Sequence, residues 1–265
     1  MAEKLRIVYS VAPDASALAE RAAAYFAEKS AAAATERGRA RIAISGGSTP
    51  KAAFALLGDG AKPWRAKMPW DQLDLWWVDE RCVPPDDADS NYRMTREALL
   101  DKAPLQPGQV HRIQGELDPG KAAAEYETEL RNGFGLKEGE LPRFDLLQLG
   151  MGPDGHTASL FPHTAALHEA TRLAVANHVE TVKDSWRVTL TRPVINHAAD
   201  VFFLIGGADK AQILKEVLLG TNDPERLPSQ SIAPAGYILT LLLDQAAAAL
   251  LPARAESAMG TIERI

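Results

Sequence analysis

Phe144-Asp-Leu-Leu-Gln-Leu149-Gly-Met-Gly-Pro-Asp-Gly-His156-Thr-Ala-Ser-Leu-Phe-Pro162 is the stretch that decides the fold of this chain. Its first half, Phe144–Leu149, reads as a strand, four of its six residues apolar. A glycine-rich loop follows, and a short helix is expected before Pro162, which cannot continue one. A buried strand, a glycine turn and a helix start form the repeating joint of parallel α/β proteins.

The same joint recurs on either side. Upstream, Leu5–Ser10 reads as a strand and Ala15–Glu36 as an alanine-rich helix of good intrinsic propensity. Arg41–Ser45 is a strand, Gly46-Gly47-Ser48-Thr49 a turn, and a helix begins near Pro50, a residue that suits a first helical turn. Leu73–Val78 is a strand, Asp79–Ser90 a Pro/Asp loop, and Asn91–Asp101 and Lys121–Arg131 are helices. Gly133–Pro142 is a loop too short to separate two domains. Downstream, Trp186–Thr191 and Val201–Ile205 are strands and Lys210–Leu219 a helix. Ile238–Leu243 is a further strand and Asp244–Leu251 a last helix. This alternation predicts an α/β fold, Rossmann-like, with a mainly parallel sheet and helices on both faces. One domain over residues 1–265 is expected, since single α/β domains reach this length.

Composition narrows the class of function. Apolar residues make up 46% and charged residues 24% of the 265, an ordinary globular balance. The formal charge of −6 gives no support for a nucleic-acid or anionic-membrane partner, which would need a basic face. The longest aliphatic run, Ile238–Leu243, is far below a membrane span of roughly 18 residues. A lone cysteine, Cys82, and a start too polar for a signal peptide lead to an expected cytoplasmic location. A small molecule is the expected partner, and a monomer or weak homo-oligomer the expected state.

In a parallel sheet, ligands bind beyond the carboxyl ends of the strands, so the segments that follow strands hold the candidate chemistry. Gly46 and Gly47 allow a ligand close to the backbone, and Ser48 and Thr49 with the following helix N–H groups can cradle an anion. An ordinary capped turn would look the same. In Asp79-Glu80-Arg81, with Asn91 just beyond, the guanidinium can grip a phosphate, and Asp79 or Glu80 can orient hydroxyls. A solvated salt-bridged loop is the plainer alternative. Cys82 beside Arg81 reads as a free structural thiol.

Gly150, Gly152 and Gly155 spell a G-x-G-x-x-G after a strand, which invites a dinucleotide reading. Pro153 and Asp154 inside the loop oppose it, as does the want of an acid at a strand end about 20 residues on. The glycines read better as the mount of His156, whose unperturbed pKa of about 6.5 suits proton transfer near neutrality. Asp154 can orient its imidazole. Lys210, after the turn Gly206-Gly207, sits against the positive end of a helix dipole, a conflict that an anionic ligand would relieve. Arg187 lies at a strand start, away from the site unless that strand runs antiparallel. No G-x-S-x-G elbow and no His-Glu-x-x-His occur, and His163 and His168 do not share a helix face, so no metal is expected.

At these residues the sequence resembles the 6-phosphogluconolactonase family. Ser45–Pro50, Asp79-Glu80-Arg81 with Ser90-Asn91-Tyr92, Gly150–Pro162, Arg187–Thr191 and Gly206–Lys210 match that family's motifs in order, and Asp154–Pro162 is the most specific. The resemblance implies a fold shared with sugar-phosphate isomerases and deaminases. It implies cofactor-free hydrolysis of 6-phosphogluconolactone in the oxidative pentose phosphate pathway. His156, Asp154 and Asp79 are then the candidate catalytic residues. Gly46, Gly47, Ser48, Thr49, Arg81, Asn91, Arg187 and Lys210 are the candidate substrate-binding ones. The related glucosamine-6-phosphate deaminases look different after the Gly-Pro-Asp-Gly-His loop, where an Asn-Glu-Pro carries a functional glutamate. This chain has Ser159-Leu160-Phe161-Pro162 there. A silent sugar-phosphate-binding protein on the same fold is the third reading.

Overall fold

The computed structural model describes residues 4–265. Its strands are β1 (Arg6–Ala12), β2 (Ala40–Ile44), β3 (Leu73–Trp77), β4 (Asp79–Arg81), β5 (Val110–His111), β6 (Leu146–Leu149), β7 (Ala174–His178), β8 (Trp186–Leu190), β9 (Val201–Ile205), β10 (Ile238–Asp244), β11 (Arg254–Glu256) and β12 (Thr261–Arg264). The α-helices are α1 (Ala15–Arg37), α2 (Ser48–Gly58), α3 (Pro63–Lys67), α4 (Asn91–Thr95), α5 (Pro119–Phe134), α6 (Arg192–His197) and α7 (Ala211–Leu219).

Nine strands form one sheet in the order β11-β12-β1-β10-β9-β6-β2-β3-β5. Every pairing in it is parallel except β11 with β12. Its central strands are largely apolar, as a sheet covered on both faces requires; all five residues of β9 are apolar and buried. Adjacent residues of β3 point to opposite faces, and each face has its own helix. Trp76 packs against Tyr126 and Phe134 of α5, and Trp77 against Tyr92 of α4. On α1, Phe26 meets Phe202 edge-on, and the buried alanines Ala22, Ala23 and Ala27 let the helix approach the sheet closely. Asp14 caps this helix by accepting from the Ala17 N–H at 2.8 Å, and Gly38 closes it in the left-handed conformation.

From β2 the chain moves outward to β3 and β5; from β6 it moves the other way, to β9 and β10. The order therefore reverses between adjacent β2 and β6, and the crevice at such a reversal is where open α/β sheets bind ligands. A second sheet, β4-β8-β7, is fully antiparallel. It is joined to the first through Val78, whose N–H donates to Ile44 O while its carbonyl accepts from Leu190 N.

Several sequence expectations are corrected. No helix forms between Gly155 and Pro162: Gly155 and Ala158 both have positive φ (80° and 51°), and a Thr157–Leu160 bridge closes a turn instead. The alanine-rich tract after Asp244 makes successive turns, not a helix. It is too short to offset nucleation before Pro252, and the Asp244 carboxylate takes the Ala247 N–H at 2.7 Å. Asp79-Glu80-Arg81, read as the start of a loop, is a strand made by pairing with β8 rather than by its own weak β propensity. Helix α2 begins at Ser48, two residues before Pro50. The edge strands β5, β7 and β11, and β12 beside the last, carry little apolar periodicity and were not expected.

Candidate active site

At the β2/β6 reversal a cleft of about 210 Å³ opens among the loops that follow β2, β6 and β9, with β4 and β8 of the small sheet as its remaining wall. Gly46, Gly47, Ser48, Thr49, Asp79, Arg81, Asn91, His156, Arg187 and Lys210 all line it. Of the candidate residues, Asp154 alone is not in the lining, and it contacts one that is. Its carboxylate lies 2.5 Å from His156 Nδ1 and also accepts the His156 backbone N–H at 3.1 Å.

The imidazole is fixed on three sides. Asp154 engages Nδ1, which favours the tautomer with the proton there and leaves the Nε2 lone pair for chemistry. Phe161 stacks on the ring at 3.9 Å between centroids. Gly152 passes beneath it, where a Cβ would stand 2.1 Å from both Nδ1 and Cε1. That close approach, not a pyrophosphate, is what the glycine serves. Partial burial pulls the Asp154 carboxyl upward, but the hydrogen bonds and charge of His156 outweigh it and hold the group below the usual carboxylate range.

Cations surround the same space. Arg81 and Arg187 are directly opposed across the β4–β8 ladder. Antiparallel pairing brings Arg187 to the cleft, the condition under which a strand start could reach it. Arg187 spends Nε and one Nη on the carbonyls of Asp184 and Lys183. Arg81 donates to the carbonyl of Asp89, and its buried Nε–H has no partner. Neither guanidinium has a carboxylate within ion-pair distance among the described residues. Burial first, then the neighbouring Arg81, pulls Arg187 below its ordinary pKa. Two half-desolvated like charges side by side are costly unless an anion joins them. Lys210 approaches from the β9 side, held by Asp209 at 3.3 Å. The N-terminus of α2 carries no side-chain cap, so its first N–H groups remain available to a ligand.

The two acids of β4 divide their work. Asp79 lines the cleft and accepts from Ser159 Oγ at 2.6 Å. Glu80 does not line it. Its carboxylate accepts from the backbone N–H groups of Arg81, Asn91 and Tyr92 and from Ser90 Oγ. It therefore latches β4 to the start of α4, and the alternative that Glu80 orients a ligand is corrected. Burial pushes its carboxyl up to about 7, despite the three backbone donors that favour the anion. The latch delivers Asn91, whose amide donates to Asp79 O at 2.9 Å and lies across Gly46, where a Cβ would be 1.8 Å from Asn91 Oδ1. Cys82 is pushed up to about 11 by burial and by Glu80, the state of an unreactive thiol. Sequence reasoning missed Ser159 and Phe161 as parts of the cleft; their adjacency to His156 was the available signal. Among the described residues no group of three or more His, Cys, Asp or Glu is gathered as a metal cage.

Fold and cleft together define an α/β enzyme built to hold a small anionic substrate beside an oriented imidazole. Residues 13–240 match the family described as glucosamine-6-phosphate isomerases/6-phosphogluconolactonase. A 6-phosphogluconolactonase of Synechocystis sp. is 40% identical over 237 residues, 89% of this chain and 95% of that protein. One from Streptomyces coelicolor is 36% identical over 246 residues, 90% of this chain and 92% of that one. The solved 6-phosphogluconolactonase from Trypanosoma cruzi superposes with a TM-score of 0.79 at 30% identity, covering 95% of this chain and 98% of its own. The chain belongs to the glucosamine-6-phosphate isomerase/6-phosphogluconolactonase family.

Proposed function

We propose that this chain hydrolyses 6-phospho-D-glucono-1,5-lactone to 6-phospho-D-gluconate, in the cytoplasm, as one domain and without a cofactor. The observation that carries the reading is His156, tied through Nδ1 to Asp154 and facing a cleft with two carboxylate-free guanidiniums. The substrate phosphate, roughly −1.5 to −2 in charge, sits against the uncapped start of α2 with Arg81, Arg187 and Lys210 around it. Asp79 and Asn91 orient the sugar hydroxyls.

Water attacks the lactone carbonyl carbon as His156 Nε2 takes its proton, and Asp154 stabilises the imidazolium. The carbonyl π electrons move onto oxygen, where cleft N–H groups or a cation stabilise the negative charge; one such donor is worth about 2.7–4 kcal/mol. Collapse of the tetrahedral intermediate breaks the bond from the carbonyl carbon to the ring oxygen. The leaving oxygen takes the proton back from His156 and becomes a hydroxyl. The new carboxylic acid then ionises, so each turnover releases one proton.

Phe161 favours lactonase over deaminase: an apolar ring stacks on His156 where the deaminase pattern carries glutamate. Lactone generated in place by glucose-6-phosphate oxidation should vanish faster with enzyme than by spontaneous hydrolysis, with no ammonia released from glucosamine-6-phosphate. His156→Ala should lower kcat by ~10²–10⁴-fold. Full activity in that variant at neutral pH would remove His156 as the base.

A further inference from the structure

A second cavity, of about 320 Å³, opens at the opposite end of the sheet from the cleft. It lies where β2 and β6 begin: Arg39 precedes β2, Arg41 is the second residue of β2, and Asp145 immediately precedes β6. One wall is cationic, made by Arg37, Arg39, Arg41 and Arg143. The other is apolar, made by Phe134, Leu136 and Leu141. On a chain of formal charge −6, four arginines against one lining carboxylate, Asp145, make this cavity locally positive.

Internal pairing occupies Arg37, which Glu36 and Asp145 both hold, and Arg39, but leaves Arg41 and Arg143. Asp145 is engaged by Arg37 Nε at 2.8 Å and by the backbone N–H of Arg41 at 2.7 Å. Asp74, itself buried, lies 3.3 Å from Arg39 Nε. Arg41 Nε lies 3.9 Å from the same carboxylate, too far for a hydrogen bond, and this buried N–H has no other partner. The Arg41 guanidinium is held over the Phe134 ring at 4.8 Å, and its Nη2 donates to Gly133 O. Arg143 is exposed and has no ion pair among the described residues. A buried donor without an acceptor is costly, and it is aimed here by an aromatic contact and a backbone bond.

We infer that this cavity is a second ligand site, for a planar aromatic ring bearing a short polyphosphate, the chemistry of a nucleoside diphosphate. Forked guanidiniums match phosphate oxygens, and the Arg41 guanidinium, laid on Phe134 by one side, can take a stacked ring on the other. The leucines supply the apolar remainder of a small-molecule pocket. A bare anion would leave that wall unused, and a neutral ring would leave Arg41 and Arg143 unanswered.

Calorimetric titration of the full chain with ADP tests this, with adenosine and inorganic pyrophosphate as separate arms. One ADP should bind per chain, at least about tenfold more tightly than either fragment, and more weakly as salt rises. Arg41→Met should weaken ADP by about tenfold, the value of one lost charge-assisted contact. Arg143→Glu, at an exposed position that leaves the fold intact, should do the same without altering lactone hydrolysis. Arg187→Met, in the catalytic cleft, should bind ADP as the parent does. Three results would each overturn the site: loss of ADP binding in Arg187→Met, undiminished binding in Arg143→Glu, or pyrophosphate binding as tightly as ADP.

Discussion

Glu80 and Asp79 are neighbours with opposite fates, and the pleat is the reason. Successive side chains of a strand leave on opposite faces, so Asp79 enters the cleft while Glu80 turns to the backbone of α4. The Asp-Glu-Arg string did not say which acid would face the ligand, because β4 itself was not legible as a strand. The Glu80 carboxyl is pushed up to about 7 from an unfolded value near 4.5. The folded protein thus holds more protons than the unfolded one between those values, and stability falls as pH rises through that window. The cost, on the order of 3 kcal/mol, is complete above pH 7. Glu80→Gln cannot ionise. Denaturant unfolding at pH 5, 6 and 7 should show a flatter profile for it than for the parent, although the amide nitrogen, facing backbone donors, lowers stability throughout. Parallel profiles would remove Glu80 as the titrating group. His156 was more legible: a histidine among glycines at a strand end is a recognisable arrangement, and Asp154 two residues away was its natural partner. The stacking of Phe161 was not, since it depends on a turn through Ala158 at positive φ rather than the expected helix.

The β4–β8 ladder decides the electrostatics of the cleft. From the sequence, Arg187 was ambiguous, because strand starts in a parallel sheet lie at the wrong end. The small antiparallel sheet reverses that direction and sets Arg187 opposite Arg81. Opposed like charges weaken a ladder, so this pair is better explained by what it binds than by what it stabilises. Arg187→Met keeps the side-chain stem and removes the charge. It should raise KM and lower kcat/KM by about 10–100-fold, the worth of a charge-assisted hydrogen bond, while the melting temperature stays the same or rises. A fall in melting temperature with unchanged KM would make Arg187 structural. The turn before α2 was legible in its glycines and hydroxyls. That the helix would be left uncapped there was not, because Ser48 and Thr49 lie inside the helix rather than before it.

Across the nine-stranded sheet, the candidate catalytic cleft lies at the carboxyl ends of the central strands, far from the β11-β12 edge. At that edge β12 pairs with β1 and buries Ile262 completely. Ile262→Ala should cost about 2–5 kcal/mol in denaturant unfolding, the usual cost of emptying a packed aliphatic site, with kcat/KM unchanged. A change in kcat/KM of tenfold would mean that the edge is coupled to the cleft. The sequence by itself determined the α/β alternation, the parallel centre of the sheet and the loops that carry chemistry. Those features are written locally, as apolar runs of strand length, helical propensity and glycine turns, and they need no distant partner. Only the tertiary structure decided the antiparallel direction of β8, the short edge strands, the turns in place of two expected helices, and the division of labour between Asp79 and Glu80. The strands and the Asp79/Glu80 division depend on pairing between segments far apart in the chain, where a few residues take the conformation their neighbours impose; the two turns rest on local contacts, Thr157 with Leu160 and Asp244 with Ala247, that propensity alone did not reveal. His156 shows both: its place in a glycine loop was visible from the residues alone, and its fixed orientation, between Asp154, Gly152 and Phe161, exists only in the folded chain.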